Sequence, residues 1–249
     1  MATPHRLYGL KALVTNAAGG IGEAASRTLI KHGARVLAVD TANSGVEQHY
    51  KSVKGIDGLS ANLTDATRMP ALIETAVERL GGIDILINDF PLYVEAPLRD
   101  GDAQLDKLLE LRADLLMSIC RSALPHLKKS PQGRIISIGF LRSVFAADGA
   151  VAFAKSEQNL AAITRALGSE TGEFGITANY IQPGAIMTPA SRDVFRKNMA
   201  LRDFCIGQSA AQRLGEPVDV AKVALFLASD DAAFVSGTGI LVDGGRSSQ

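Results

Sequence analysis

Residues 15–22 read Thr-Asn-Ala-Ala-Gly-Gly-Ile-Gly and continue the apolar run KALVT at residues 11–15. The apolar run predicts a strand, the glycines predict a tight turn, and the amphipathic pattern over residues 21–31 predicts a helix. In this arrangement the backbone N–H groups of the turn can approach a pyrophosphate at the positive end of the helix. The residues that we expect to contact a dinucleotide here are Asn16, Gly20, Ile21 and Gly22.

Asp40 follows the second apolar run, residues 35–39, and stands eighteen residues after Gly22. A carboxylate at this offset can accept hydrogen bonds from an adenosine ribose 2′-hydroxyl and would repel a 2′-phosphate. The pattern therefore predicts a site that prefers NAD to NADP. The alternative is that Gly20 and Gly22 only allow close helix–strand packing and that Asp40 is a solvated strand end.

Short apolar runs alternate with helical patterns along the rest of the chain. We predict strands at residues 11–15, 35–39, roughly 58–62, 83–87, 134–138, 176–181 and 240–242. We predict helices over residues 21–31, 65–80, 102–128, 150–172 and 218–229. Apolar strands separated by helices are typical of a parallel sheet covered on both faces.

These elements predict an α/β protein with one doubly wound, Rossmann-type domain over residues 1–249. Its sheet would have seven parallel strands and about six flanking helices. Only residues 188–214 break the alternation, and we expect them to form a loop-and-helix insertion over one edge of the sheet, where a substrate loop would lie.

The composition excludes several classes of protein. Hydrophobic residues make up 47% and charged residues 21% of the chain, and the mean hydropathy is +0.13, so the chain can bury a large core. The 26 basic and 26 acidic side chains give a formal net charge of zero. Nucleic acid is therefore not an expected partner, because phosphate binding needs a basic surface. A neutral chain has little charge repulsion between copies, which favours an oligomer.

Cysteine and histidine usage indicates neither a disulfide framework nor a metal site. Cys120 and Cys205 lie far apart, and the four histidines show no ligand spacing. Residues 1–10 contain no apolar segment typical of a signal peptide, and no apolar run approaches ~18 residues. We therefore expect a soluble cytoplasmic protein with no metal and no membrane partner.

Several motifs together resemble the short-chain dehydrogenase/reductase family over nearly the whole chain. The family's T-G-x-x-x-G-I-G corresponds to residues 15–22, its D-V after the third strand to Asn62-Leu63, and its P-G-x-x-x-T to residues 183–188. The C-terminal pattern is also similar, at RLGEP 213–217, ALFLAS 224–229, Ser236-Gly237 and VDGG 242–245. The resemblance implies an NAD-dependent oxidoreductase that acts on CH–OH groups. The further cofactor contacts that it implies are Asn62, Leu63, Asn88, Pro183, Gly184 and Thr188.

The same resemblance implies that the catalytic positions are all altered. The family uses a Tyr to handle the alcohol proton, a Lys four residues later, a Ser thirteen residues before the Tyr and an Asn on an earlier helix. The residues at these positions of the Asn, Ser, Tyr and Lys are Arg112, Phe140, Phe153 and Glu157. Phe153 has no ionisable proton, and the loss of a general acid alone costs about 10²–10⁴ in rate. Lys155 lies two residues from the Lys position and should point elsewhere on the helix.

The adenosine side of the cofactor site is altered as well. The family's N-N-A-G after the fourth strand reads Asn88-Asp89-Phe90-Pro91 here. The two last side chains are bulky, and Asp89 adds negative charge near an anionic ligand. We therefore expect this chain to bind NAD weakly or not at all.

Two of the replacements carry opposite charges, and this predicts a compensating contact. We expect Arg112 and Glu157 to form a salt bridge, because an unpaired buried charge is costly. Phe140 and Phe153 would pack in the space that substrate and nicotinamide occupy in the family. The alternative is that each charged side chain turns to solvent or to a backbone carbonyl.

We therefore hypothesise that this chain is a catalytically silent subunit that supports an active homologous subunit. NAD would be bound in the active subunit. The partner would join in a hetero-oligomer, a tetramer, through the helices at 102–128 and 150–172 and the C-terminal strand. Arg192, Arg196, Lys197 and Arg202 would meet an acidic or CoA-bearing substrate or simply form a solvated helix face.

Two alternatives stay open. One is a cofactor-independent enzyme on the same fold, similar to the halohydrin dehalogenases, which need Ser, Tyr and Arg where this chain has Phe140, Phe153 and Glu157. The other is a regulatory protein that senses a nucleotide without catalysis.

Overall fold

The computed structural model describes residues 6–90 and 96–245. Seven strands form one sheet in the order β3-β2-β1-β4-β5-β6-β7, with every neighbouring pair parallel. The strands are β1 (Lys11–Thr15), β2 (Arg35–Asp40), β3 (Ile56–Ser60), β4 (Ile85–Asn88), β5 (Arg134–Ile138), β6 (Thr177–Pro183) and β7 (Gly239–Val242). The strand order reverses between β1 and β4, and open α/β sheets bind ligands outside the carboxyl ends of the strands at such a point.

Helices cover both faces of this sheet. They are α1 (Gly20–Lys31), α2 (Val46–Tyr50), α3 (Met69–Leu80), α4 (Ala103–Leu127), α5 (Ala150–Thr171), α6 (Pro189–Lys197), α7 (Met199–Gly207) and α8 (Pro217–Ala228). Neighbouring residues of β1 point to opposite faces, so that Val14 packs in the core under α1 and α8 while Leu13 packs in the core under α3, α4 and α5. The predicted doubly wound, seven-stranded fold is confirmed.

The described residues contain eight α-helices rather than about six. Two helices are additional. One is α2, and the other arises because the insertion forms two helices, α6 and α7, instead of one. Across these residues no helix is both long and apolar enough to cross a membrane.

Several predicted boundaries were wrong by two to four residues. The fourth strand begins at Ile85 and not at residue 83, and the sixth ends at Pro183 and not at residue 181. The third strand begins at Ile56 and not at residue 58, because it pairs with β2 from Val36 onward. The helix predicted from residue 65 begins as a 3₁₀ turn, in which the Asp65 side chain accepts a hydrogen bond from Thr67 N at 3.0 Å, and α3 starts only at Met69.

Candidate functional site

The glycine-rich turn joins β1 to α1 at the carboxyl edge of the sheet. Asn16 replaces the first glycine of the family pattern and has a left-handed backbone, with φ of 54°, which Asn tolerates better than most residues. Its Nδ2 donates to Asp89 Oδ2 at 3.1 Å. Gly22 is required by the close turn, because a Cβ there would lie 2.3 Å from the Asn16 carbonyl oxygen.

Asp40 lies at the end of β2 against this turn. Its Oδ2 accepts a hydrogen bond from Ala18 N at 2.7 Å, and its Oδ1 accepts one from Thr41 N at 2.6 Å. The side chain is buried, so the alternative of a solvated strand end is wrong. The carboxylate ties β2 to the turn.

The beginning of α6 lies directly on the turn. A Cβ built on Gly20 would be 3.4 Å from Thr188 Cβ, and one on Gly19 would be 3.7 Å from Pro189 Cγ. Thr188 caps α6: its Oγ1 accepts from Ser191 N at 3.1 Å, and Ser191 Oγ accepts from Thr188 N at 2.8 Å. The Thr188 hydroxyl is therefore buried in a capping box, with its side chain against Gly20.

Other residues of the expected cofactor set lie at the carboxyl ends of β3 and β6, on the same edge of the sheet. Leu63 is a fully buried core residue, whereas Asn62 Oδ1 accepts a hydrogen bond from Thr64 N at 2.9 Å in the loop after β3. Pro183 ends β6, and Gly184 packs so closely that a Cβ there would lie 2.7 Å from Asp243 Cβ. These positions shape the backbone of the cleft.

The segment after β4 places an acid and an aromatic ring at the base of the cleft. Desolvation raises the pKa of Asp89 to about 6, although the nearby Arg112 charge and the Asn16 amide both act to lower it. Phe90 is 3% exposed and belongs to the core that contains Leu63. Pro91, also expected to obstruct the site, lies outside the described residues.

The predicted salt bridge between Arg112 and Glu157 was wrong. Arg112 instead donates a hydrogen bond to the Ile138 carbonyl oxygen and lies over the Phe140 ring, with the guanidinium carbon 4.2 Å from the centroid. Glu157 Oε1 accepts from the Tyr180 hydroxyl at 3.4 Å. The two side chains separate because Glu157 contacts Tyr180 of β6, while the Arg112 guanidinium reaches Ile138 at the end of β5 and the Phe140 ring after it.

Phe140 and Phe153 pack through a third ring that sequence reasoning missed. Phe145 lies 6.1 Å from Phe140 and 5.4 Å from Phe153, between ring centroids. The cluster continues onto Leu105 and Leu109 of α4. The positions that carry a hydroxyl in the family are therefore joined by an apolar contact.

Arg142 is the second residue that sequence reasoning missed. It is buried and donates to the carbonyl oxygens of Phe145 at 2.9 Å and Ala146 at 2.9 Å. Its guanidinium carbon also lies 5.8 Å from the Phe153 ring centroid and 5.2 Å from that of Phe204 on α7. A lone arginine inside the apolar run Phe140–Phe145 was the available signal.

Lys155 points away from this cluster, as expected. Its ammonium pairs with Asp106 of α4 on the exposed side of the helices. Lys155 therefore does not lie where it could take the role of the family's catalytic lysine.

Among the described residues, three cavities border the altered catalytic positions. The smallest, of about 20 Å³, is lined by Leu109, Arg112 and Phe140, and two are larger. One of about 270 Å³ lies between the glycine-rich turn and α4, with Asn16, Asp89, Arg112 and Phe140 in its lining. The other, of about 90 Å³, is lined by Arg142, Phe153, Glu157 and Cys205. In residues 6–90 and 96–245, no group of three or more His, Cys, Asp or Glu side chains is arranged to hold a metal ion.

Comparisons with known proteins extend over the same span. Residues 16–247 match the family model described as Enoyl-(Acyl carrier protein) reductase. The chain is 30% identical to the 3-oxoacyl-(acyl-carrier-protein) reductase of Escherichia coli (strain K12), over 94% of this chain and 96% of that protein. It is 28% identical to the reductase of the same name from Thermotoga maritima, over 96% and 98%, and 31% identical to the L-fucose dehydrogenase of Oryctolagus cuniculus, over 98% and 87%. With one family model matching almost the whole chain, this protein belongs to the short-chain dehydrogenase/reductase family of oxidoreductases.

Proposed function

We propose that this chain is a catalytically silent member of its family and that it acts as the non-catalytic subunit of a hetero-oligomeric, NAD-dependent alcohol dehydrogenase. The observation that carries the proposal is the apolar contact between Phe140, Phe145 and Phe153 at the positions of the proton-handling hydroxyls. Reduction of a carbonyl leaves an alkoxide that must be protonated, and the reverse reaction needs a base. Phe140 and Phe153 can neither donate that proton nor act as that base.

The polar groups nearby are engaged in other contacts, which supports the proposal. Arg112 donates to the Ile138 carbonyl, and Lys155 pairs with Asp106. The Tyr180 hydroxyl donates to Glu157, and desolvation together with the Glu157 charge raises the pKa of Tyr180. A general acid would need to give a proton to the substrate oxygen. Of these groups only Arg112 lines the cavity beside Phe140, and a guanidinium does not give up a proton at ordinary pH.

We infer further that the residues of the cleft do not fit NAD. Both Asp40 oxygens already accept backbone N–H groups, the Thr188 hydroxyl serves its capping box, and Asp89 adds a carboxyl group to the lining. NAD would bind in the active partner. Titration calorimetry of the purified chain should give no one-site isotherm of micromolar affinity, and any residual binding should favour NAD over NADP, because Asp40 would repel a 2′-phosphate.

The proposed partner is a homologous, active subunit in a heterotetramer in the cytoplasm. Exposed apolar side chains support this: Leu111 on α4 and Val151 on α5 are 40% and 68% exposed, and Phe234 and Leu241 near β7 are 104% and 56% exposed. These residues lie on α4, α5 and around β7, the elements through which the family resemblance implies assembly.

The substrate class that we propose is a hydroxyacyl-CoA, held by the partner. The chain resembles the degenerate subunit of the 2-(hydroxy(phenyl)methyl)succinyl-CoA dehydrogenase of anaerobic toluene degradation, which has two related but unequal subunits. Two relatives named above act, by their names, on 3-oxoacyl-(acyl-carrier-protein), which is compatible with an acyl group attached to a carrier.

Reconstitution tests the proposal. The chain, its homologous genomic neighbour and the mixture should each be assayed for alcohol oxidation with NAD and NADP, and the mixture analysed for a complex. We expect turnover by the mixture and none by this chain. Turnover by the chain alone at ordinary family rates would overturn the proposal, and halide release from a halohydrin would instead support the cofactor-independent alternative.

A further inference from the structure

We propose that the cavity between the glycine-rich turn and α4 binds a small carboxylate with an apolar body, and that Arg112 holds the carboxylate. The inference goes beyond the proposed function, because a silent subunit does not need a ligand of its own. Binding at this cavity would give the chain a sensing or stabilising role inside a complex.

The size and lining of the cavity favour a small, partly apolar molecule. Its volume is about 270 Å³, whereas pockets for drug-sized ligands range over about 300–1,000 Å³. Apolar side chains form most of its wall, among them Phe90, Ile138, Phe140, Leu141 and Val144. A short aliphatic or aromatic acid is of a size that this space can hold.

Arg112 supplies the group that would recognise an anion. Arg112 is half-buried and lines the cavity, and of its five N–H donors the described contacts engage one, with the Ile138 carbonyl. Among the described residues it forms no ion pair. A desolvated cation attracts an anion more strongly than a solvated one, and a guanidinium can bind a carboxylate through two parallel hydrogen bonds.

Asp89 opposes the ligand and makes its binding dependent on pH. Its carboxyl group lines the same cavity, and desolvation raises its pKa to about 6. Among the described residues, the other charged groups that face it are Arg112 on α4 and Asp40 at the end of β2. The parts of α1 and α6 that line the cavity, represented by Gly20 and Pro189, contribute no charge. A bound carboxylate therefore favours the protonated form of Asp89. Binding of the ligand is in this way coupled to the uptake of a proton by Asp89.

Titration calorimetry with hexanoate and its neutral analogue hexanamide tests this inference on the full chain. We expect hexanoate to bind at pH 6 at least about tenfold more tightly than hexanamide, and its affinity to fall by up to about tenfold per pH unit above pH 6. Arg112→Met should lower the affinity for hexanoate by about 10- to 100-fold. The matched control is Arg121→Met, on the exposed side of the same helix, which should leave the affinity unchanged.

Asp89→Asn keeps the test informative if Arg112→Met does not fold. This variant should remove the pH dependence and raise the affinity for hexanoate at pH 8. The inference is overturned if hexanoate produces neither heat nor thermal stabilisation at millimolar concentration and pH 6. It is equally overturned if hexanamide binds as tightly as hexanoate, or if affinity is the same at pH 6 and pH 8. None of these outcomes depends on catalytic activity, so they are separate from the test of the proposed function.

Discussion

Arg112 lies across the ring of Phe140, with its guanidinium carbon 4.2 Å from the ring centroid. In the family pattern these two positions hold the relay asparagine and the substrate-binding serine. A cation–π contact contributes from about 0.5–1 kcal/mol at exposed sites to about 2 kcal/mol when desolvated. The two replacements therefore stabilise each other, and Arg112 does not need the predicted partner Glu157.

Restoring the tyrosine alone should not restore activity. Phe153→Tyr would introduce the missing hydroxyl beside Phe145 and near Glu157 rather than near a lysine, so the local charge would oppose its ionisation. We expect the variant to stay at background in an assay of alcohol oxidation with NAD and with NADP. A rate within the ordinary range of the family would show that the other three replacements do not matter.

Arg142 should be a principal stabilising contact between the loop after β5 and α7. Arg142→Ala removes buried, charge-assisted hydrogen bonds to the carbonyl oxygens of Phe145 and Ala146 and the packing against Phe204. We expect the free energy of unfolding in urea to fall by about 2–3 kcal/mol. Amide hydrogen exchange in α7 should become faster.

The control for this prediction is Arg196→Ala. Arg196 lies on α6, its side chain is 75% exposed, and it pairs with Asp193 three residues earlier. A surface replacement of this kind should change stability by no more than about 0.5 kcal/mol. Equal effects of the two substitutions would show that Arg142 is not a special contact.

Arg112 and Glu157 should behave as independent sites. Because Arg112 contacts Ile138 and Phe140 while Glu157 contacts Tyr180, a double-mutant cycle of Arg112→Ala and Glu157→Ala should be additive within about 0.5 kcal/mol. A coupling energy above about 1 kcal/mol in urea unfolding would restore the salt bridge that the sequence predicts.

Asp89 should make the protein less stable as the pH rises. Desolvation raises its folded-state pKa to about 6, so the folded chain holds the proton more tightly than the unfolded chain. The stabilisation is greatest near pH 4 and is lost as the pH rises through 6. The stability advantage of Asp89→Asn over the natural chain should therefore grow by about 2 kcal/mol between pH 4 and pH 7. An advantage that does not change with pH would contradict this.

The fold could be predicted from the sequence because its signals are local. The apolar runs of β1 and β5 and the amphipathic pattern of α1 depend on periodicity, and the glycine-rich turn at 15–22 depends on backbone conformation. None of these signals depends on which side chains stand at Arg112, Phe140, Phe153 and Glu157. The insertion was harder, because Asn198 interrupts it and caps α7 by accepting from Leu201 N at 3.0 Å.

The site was only partly predictable because its contacts join residues distant in the chain. The resemblance to the family indicated the four positions that differ, but the direction of Glu157 depends on how α5 packs on β6. The role of Arg142 depends on Phe204, more than sixty residues later. Complementary charge at Arg112 and Glu157 suggested a pair, yet charge alone does not determine distance.

The most direct test of a silent subunit uses a complex with an inactivated partner. The homologous subunit is prepared with its catalytic tyrosine replaced by phenylalanine and assembled with the natural form of this chain, and alcohol oxidation is measured against the complex of two natural chains. If this chain is silent, the altered complex forms and its rate falls to background, because no other site supplies the proton acceptor. A complex that retains a substantial fraction of the original rate would contradict the account, since the remaining turnover would have to come from this chain.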